Sequence, residues 1–256
     1  MKIDWLIQVA ADHPQIAAGL APKGLLSPLE DAVFRRLRTD KRRQDWLLGR
    51  WTAKRLLRAG GMDDDARRFP AHALAILAAA DGAPELWLCA GGSLHRGSTT
   101  VSISHASGIA FCACAGPGMP LLGADIEAVQ RRPDGFADQF FSPAEIASLQ
   151  HAPDADRVWL STAIWSGKEA VLKAIRVGLR VDTRHLSCLV GGGAADEARW
   201  RPFAVSWNNP QWLSTMPPLQ GWWRRWHDFI LTLAVSGTQP MVDTAQRQNT
   251  YERRSG

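Results

Sequence analysis

The chain has 256 residues, of which 46% are hydrophobic and 21% are charged. This is enough apolar sequence for a globular protein with a substantial core, in one large domain or two ordinary ones. The formal net charge of +5 favours a polyanionic partner, such as a nucleotide, a nucleic acid or an acidic protein, without choosing among them.

The cysteines and the amino terminus indicate the cellular compartment. Cys112 and Cys114 lie two residues apart on one predicted strand, too close for an ordinary disulfide, and the four cysteines form no metal-binding pattern. Asp4 stands where a signal peptide requires an apolar run, and charged residues interrupt every apolar segment before it reaches the length of a membrane span. These features predict a cytoplasmic protein that does not contact a membrane.

The first half opens with a predicted strand, Ile3 to Val9. Ser27-Pro28-Leu29-Glu30 has the pattern of a capping box, so a helix is expected to begin at Pro28. Helical sequence continues, with a break near Thr39-Asp40, to Gly60-Gly61, which can supply a left-handed helix cap. Three further strands are predicted before residue 117: Glu85 to Cys89, Val101 to Ser104 and Ile109 to Ala115.

The second half repeats this order of elements. A strand over Leu121 to Glu127 precedes a second capping box, Ser142-Pro143-Ala144-Glu145, and a long helix runs from Ile164 to Arg176 with Gly178 as its cap. Two such boxes also arise by chance, but the repeated order favours an internal duplication. The closing strands are predicted over Arg199 to Trp207 and Asp228 to Val235, and the polar residues 238–256 are predicted to be a disordered tail.

Two acidic residues close the first strand of the second half. Asp125 and Glu127 are two positions apart, so both carboxylates lie on one face of the strand while Ile126 points to the other. Mg²⁺ prefers one or two carboxylates that leave positions open for water and phosphate oxygens. Taken alone, an Asp-x-Glu pair at a strand end is more often ordinary solvated loop chemistry.

A second group of polar residues lies on the long helix. Trp165, Glu169 and Lys173 are successive i, i+4 neighbours and share one face. Glu169 and Lys173 are explained most simply as a surface ion pair, but Leu172 and Ile175 flank them and predict partial burial. A carboxylate and an ammonium on a partly buried face fit a metal–diphosphate site.

A histidine and a basic segment complete the candidate residues. His105 follows the strand Val101 to Ser104; it is either structural or a hydrogen-bond donor to phosphate. The basic segment between residues 35 and 55 carries side chains of the type that binds phosphate oxygens. A solvated helix face and nucleic-acid binding are the alternative explanations for these residues. They are Arg35, Arg36, Arg38, Lys41, Arg42, Arg43, Arg50, Lys54 and Arg55.

Together these motifs resemble the surfactin-synthetase type of 4′-phosphopantetheinyl transferase. The signature of that family is a Gly-x-Asp-x-Glu strand followed by Trp-Ser-x-Lys-Glu-x-x-x-Lys, and the match extends over residues 27 to 180. One departure is Gly82-Ala83-Pro84, where members often carry Gly-Lys-Pro. The matching segments are Leu47–Arg50, Ser102–His105, Gly123–Glu127, Phe140–Glu145 and Trp165–Lys173.

The resemblance implies an α+β fold of two similar halves, residues 1–117 and 118–237, related by a pseudo-twofold axis. Coenzyme A would bind in the cleft between the halves, with Mg²⁺ held by Asp125, Glu127 and Glu169. Lys173 would contact the phosphate under attack. The remaining residues that the resemblance assigns to coenzyme A are Ser104, His105, Lys168, Arg42, Arg43 and Arg50.

The implied reaction transfers phosphopantetheine from coenzyme A to a serine of an apo acyl or peptidyl carrier protein and releases 3′,5′-ADP. Glu169 is the candidate base, acting directly or through a water bound to the metal. Smaller relatives of the family build the cleft between subunits, so a chain of this length is expected to be a monomer. The alternatives are a basic module that binds nucleic acid, without catalysis, and an inactive coenzyme A-binding relative.

Overall fold

Two five-stranded antiparallel sheets form the framework of the protein in a computed structural model, which describes residues 3–60, 67–119, 121–191 and 199–236. The first sheet contains β1 (Ile3–Val9), β2 (Leu74–Ala78), β3 (Pro84–Ala90), β4 (Ser93–Ala106) and β5 (Ile109–Ala115). The second contains β6 (Leu122–Ala128), β7 (Leu186–Val190), β8 (Arg201–Trp207), β9 (Leu219–Trp226) and β10 (Phe229–Ser236).

The two sheets have the same topology. Their strand orders are β1-β5-β4-β3-β2 and β6-β10-β9-β8-β7, so the first strand of each half pairs with the last and the remaining strands follow in reverse. The predicted fold class, α+β with two similar halves, is confirmed. The helices are α1 (Pro14–Ala17), α2 (Pro28–Phe34), α3 (Asp40–Ala59), α4 (Phe136–Phe140), α5 (Pro143–His151), α6 (Asp154–Ala174) and α7 (Pro210–Thr215).

Both predicted capping boxes are present. The Ser27 and Ser142 side chains accept from the backbone N–H three residues later, and Glu30 and Glu145 accept in return from the serine N–H. All four side chains are almost completely buried. Each box therefore also fixes a helix against the core, which a solvent-exposed cap would not do.

The same glutamates bind a lysine and a strand in each half. Glu30 pairs with Lys54 of α3 and accepts from the Ile76 N–H, while Glu145 pairs with Lys168 of α6 and accepts from the Cys188 N–H. Each half thus contains one buried glutamate–lysine pair with the same kinds of partner, so the repeat extends beyond the strand order to individual contacts. This supports the predicted duplication.

The two halves share a continuous apolar seam. Ile3 and Phe111 of the first sheet pack with Ile126 and Leu231 of the second in one buried cluster. Trp200 extends the seam, with its ring centroid 5.7 Å from that of Trp5 and 6.3 Å from that of Phe111. The seam holds β4 and β6 next to each other, and these strands carry the candidate site.

Several details differ from expectation. The helix before Gly60 ends as predicted, but Gly60 has φ −72° rather than a left-handed conformation. A Cβ added to Gly60 would lie 2.9 Å from Asp4 Oδ2 and 3.1 Å from the Leu56 carbonyl oxygen, so a larger residue would have to displace the Asp4 side chain. Gly61 and the predicted tail, 238–256, lie outside the described residues. Among the residues described, no helix combines the length and the apolar character needed to cross a bilayer.

Candidate active site

Gly123 determines how closely helix α6 approaches strand β6. An added Cβ on this glycine would lie 1.8 Å from the Ala170 carbonyl oxygen and 2.7 Å from the Ala174 nitrogen. Only glycine allows this approach, and it brings Glu169 and Lys173 of the helix over the carboxylates of the strand. The glycine of the Gly-x-Asp-x-Glu pattern is thus a packing residue that assembles the site.

Asp125 is the buried centre of the site, with only 1% of the residue exposed. Its Oδ1 accepts from Ser104 Oγ at 2.8 Å and from Lys173 Nζ at 2.6 Å. Its Oδ2 accepts from Ser166 Oγ at 2.7 Å. Strand β4, strand β6 and helix α6 therefore converge on one carboxylate, and these bonds fix its orientation.

Asp125, Glu127 and Glu169 form a cluster whose ligand oxygens all lie within 4.8 Å of one another. Burial, together with the negative charge of Asp125, raises the pKa of Glu169 to about 7 and also raises that of Glu127. Arg132 partly offsets the effect on Glu127, to which it donates at 2.9 Å. Both pKa values are raised because the carboxylates are partly buried next to one another, and a divalent cation would relieve this repulsion. Convergent carboxylate oxygens are the type of ligand that Mg²⁺ binds in proteins.

Lys173 connects the acidic cluster to the cleft. Burial lowers the pKa of its ammonium, but the charges of Asp125 and Glu169 outweigh this and hold the pKa above its usual value. Lys173 also lines a cavity of about 530 Å³ between the two halves. The cationic Nζ is therefore fixed at the boundary between the carboxylates and the cavity.

His105 follows Ser104 on β4, near the beginning of α3. Its Nδ1 lies 4.0 Å from Asp45 Oδ2, and burial lowers its pKa. Lys41 donates to the same carboxylate at 3.0 Å while its side chain remains 85% exposed. A histidine and an exposed ammonium that share Asp45 thus flank the site on the side of the first half, and Lys41 was named in the basic segment but not among the residues assigned to coenzyme A.

The three predicted arginines do not converge. Arg43 donates to the Leu37 carbonyl and its guanidinium lies 5.6 Å from the Phe34 ring centroid. Arg50 lies 4.2 Å from the Trp46 ring centroid, and burial lowers its pKa to about 10. Arg42 donates its backbone N–H to Thr39 Oγ1 at the start of α3.

Lys168 is separated from the site by the helix itself. It is completely buried, pairs with Glu145 at 2.8 Å and donates to the Thr183 and Leu186 carbonyls. Although it adjoins Glu169 in sequence, consecutive helical residues point in different directions. These contacts give Lys168 a role in the fold.

Replacing Lys168 with methionine is therefore expected to destabilise the protein. Removing one partner of a buried ion pair costs roughly 3–5 kcal/mol because Glu145 would stay buried without its countercharge. Chemical denaturation followed by tryptophan fluorescence measures the change. The double variant Lys168→Met, Glu145→Gln should recover part of the loss, and a stable single variant with weakened coenzyme binding would contradict this role.

The first half has a corner equivalent to the acidic cluster. β1 pairs with β5 as β6 pairs with β10, which aligns Leu6 with Asp125 and Gln8 with Glu127. Arg55 follows Lys54 as Glu169 follows Lys168. Arg55 Nη1 donates to Gln8 Oε1 at 3.1 Å, so none of the three positions carries a carboxylate. Within the part of the chain that the structure describes, such a donor set is found in the second half alone.

Two further residues act on the cluster without having been predicted. Ser166 orients Asp125, and Arg132 binds Glu127. Ser166 belongs to the Trp-Ser pattern of the family signature, so its place in that pattern was a signal from which its role at the site could have been predicted. Arg132 lies in a loop beyond the strand, and nothing in its sequence context indicates that it folds back.

Comparison with known proteins agrees with this geometry. Residues 121–215 match the model of the 4′-phosphopantetheinyl transferase superfamily. The matched range contains all three clustered carboxylates and Lys173, so the superfamily predicted from the motifs is confirmed over this part of the chain. No curated protein is similar enough in sequence to be a relative.

Solved structures of holo-[acyl-carrier-protein] synthases are among those to which the chain shows a limited similarity. The enzyme from Neisseria meningitidis has 19% identity and a TM-score of 0.37, over 47% of this chain and 99% of its own. An apo-ACPS structure from Chronobacterium ammoiniagenes has 19% identity and a TM-score of 0.34, over 44% and 93%. The Thermotoga maritima synthase has 17% identity and a TM-score of 0.32, over 47% of this chain and 65% of its own.

Proposed function

We propose that this protein transfers the 4′-phosphopantetheine moiety of coenzyme A to a serine of an apo carrier protein, as an enzyme of the surfactin-synthetase type. The observation that carries the proposal is the convergence of Asp125, Glu127 and Glu169 beside Lys173 at the cleft. A diphosphate ester needs its charge neutralised before an alcohol can attack it. Carboxylates that bind a divalent cation, together with a fixed ammonium, meet that need.

Asp125, Glu127 and Glu169 would hold Mg²⁺. When bound, the ion supplies charge neutralisation for the diphosphate of coenzyme A and for the transition state. Asp125 is held for this task by Ser104 and Ser166, whose hydroxyls both donate to it. Because these donors fix the carboxylate before any ligand binds, little reorganisation is required.

Lys173 and Glu169 have separate tasks in the reaction. Lys173 Nζ would donate to the phosphate that the serine attacks, and its raised pKa keeps it protonated. Glu169, 3.8 Å from Lys173 Nζ and 21% exposed, would accept the serine proton, directly or through a water. The serine oxygen forms the new bond to the β-phosphate, and the bond to the leaving 3′,5′-ADP breaks.

A direct assay tests the transfer. The protein is incubated with coenzyme A, Mg²⁺ and an apo acyl or peptidyl carrier protein, and the carrier is examined by mass spectrometry. The carrier should gain the mass of phosphopantetheine on its serine, and chelation of Mg²⁺ should prevent the gain. Coenzyme A binding without transfer to any carrier would indicate an inactive relative, and salt-sensitive binding of DNA or RNA alone would indicate a nucleic-acid module.

Lys41 is expected to bind the 3′-phosphate of coenzyme A together with His105. Lys41→Ala should weaken binding of coenzyme A about tenfold, since one hydrogen bond to a charged group contributes roughly 1.5 kcal/mol. Binding of dephospho-coenzyme A should change little, and calorimetry compares the two ligands. Arg157→Ala is the matched control, because Arg157 is another exposed cation in a local ion pair on a helix. Equal weakening toward both coenzymes would contradict the assignment.

A further inference from the structure

Arg176 terminates helix α6 in an unusual backbone conformation. It has φ +61°, in the left-handed region, and its N–H donates to the Lys173 carbonyl while the Val177 N–H donates to Leu172. This pair of bonds is a Schellman cap, in which the left-handed position is usually glycine. The predicted cap, Gly178, lies two residues further on. An arginine here strains the backbone, so its side chain is the feature to examine.

The Arg176 side chain reaches from the second half to the first. Its Nε lies 2.7 Å from Asp81 Oδ2, and its Nη2 donates to Asp81 Oδ1 at 3.1 Å and to Glu85 Oε1 at 3.0 Å. Arg180 adds a bond to the Asp81 carbonyl at 3.3 Å. Asp81 lies in the turn that joins β2 to β3, and Glu85 is the second residue of β3.

This turn lies outside the apolar seam between the halves. β3 and β2 are the last two strands of the first sheet, whereas the seam is formed largely by β1 and β5 against β6 and β10. The β2–β3 hairpin packs instead in a cluster of first-half residues that includes Leu74, Ile76 and Leu86. The ion pairs of Arg176 thus join two surfaces that the core does not hold together.

The joined surfaces enclose one end of the 530 Å³ cavity. Asp81, Glu85 and Arg176 all line it, as does Lys173, one helical turn before Arg176. Arg96 of β4 also donates to Glu85 at 2.6 Å, which fixes that carboxylate from the other side. The hairpin therefore forms a wall of the cavity, and Arg176 anchors this wall to the helix that carries Glu169 and Lys173.

We propose that Arg176 is a positioning residue for coenzyme binding, which clasps the β2–β3 hairpin to α6 and so holds the cavity closed at this end. The inference rests on the proposed function, because it takes coenzyme A as the ligand of the cavity. Arg176 acts through Asp81 and Glu85. The acidic cluster does not depend on the clasp, since Gly123 and the apolar seam hold it in place.

The test uses Arg176→Gly, which removes the side chain and suits the left-handed backbone, so the helix cap is kept. The KM for coenzyme A should rise roughly tenfold while kcat stays within about twofold of wild type, and the Kd from calorimetry should rise in parallel. Arg176→Lys should recover part of the affinity, since lysine reaches one carboxylate. Arg184→Ala is the matched control, because Arg184 pairs with Asp182 within the second half and does not line the cavity.

A double-mutant cycle decides whether Arg176 acts through the hairpin. Asp81→Asn should weaken binding as well, and in the Arg176→Gly background it should add little further loss. Additive losses would mean that Arg176 contacts the coenzyme itself and would overturn the clasp. Unchanged coenzyme binding by Arg176→Gly, in a preparation whose wild type binds coenzyme A, would also overturn it. A wild type that does not bind coenzyme A refutes the proposed function instead.

Discussion

Asp125→Asn is expected to abolish transfer in a protein that still folds. Asparagine has the same shape and can keep hydrogen bonds to Ser104 and Ser166, but it removes the buried charge that would bind Mg²⁺ and that pairs with Lys173. Changes in residues that merely orient a metal ligand cost about 10–100-fold in metal affinity or activity, so losing a ligand should cost more than ~10²-fold. The rate of carrier modification measures the loss.

Two further measurements separate loss of the site from loss of the fold. Circular dichroism and thermal unfolding should show a folded Asp125→Asn protein with reduced stability, since Lys173 loses one of its two carboxylate partners. The wild type should unfold at a higher temperature when Mg²⁺ and coenzyme A are present, and the variant should lose that shift. Wild-type turnover by the folded variant at ordinary Mg²⁺ concentrations would refute the metal assignment.

Glu169→Gln should lower kcat by ~10²–10⁴-fold, the usual cost of losing a general base. Glutamine keeps the size and the helix propensity of glutamate. It cannot accept the serine proton, and it is a poorer ligand for Mg²⁺. Single-turnover kinetics with saturating coenzyme A and carrier protein measure the chemical step.

Asp154→Asn is the control for this substitution. Asp154 is an acid on the same helix, pairs with Arg157 and is 90% exposed, so its loss should leave turnover unchanged. If Glu169→Gln retained kcat and raised only the KM for the carrier protein, Glu169 would belong to carrier docking rather than to the chemical step.

Most strands were predictable because their apolar pattern is strong. The bounds of β1 and β5 agree with the sequence, whereas β2, β7 and β9 were missed. β2 reads Leu-Ala-Ile-Leu-Ala, a composition equally suited to a helix, and its pairing with β3 decides the outcome. The helix that contains Glu169 begins at Asp154, ten residues before the predicted start. The residues from Val158 to Ser161 had not been recognised as helical from the sequence.

The acidic cluster and Lys173 were predictable, but the surroundings of the arginines on α3 were not. The period of a strand and of a helix places Asp125, Glu127 and Glu169 on defined faces, and Gly123 lets the two faces meet. A basic residue on α3 carries no comparable information. Arg43 and Arg50 are held by Phe34 and Trp46, partners that depend on tertiary packing. The tryptophans have a similar explanation, because Trp159 stacks on Trp223 and Trp200 packs on Trp5.

The repeated backbone and the unrepeated charges make the two halves electrostatically different. A molecule with two identical halves would present the same groups at both equivalent corners and would bind cations as a symmetric pair. Here the corner with Asp125 is anionic, whereas the equivalent corner has Gln8 and Arg55 and offers a cation no carboxylate at these positions. The duplicated fold therefore presents the three-carboxylate donor set at one of its two equivalent corners, and we expect one divalent cation per chain at this pair of corners rather than two.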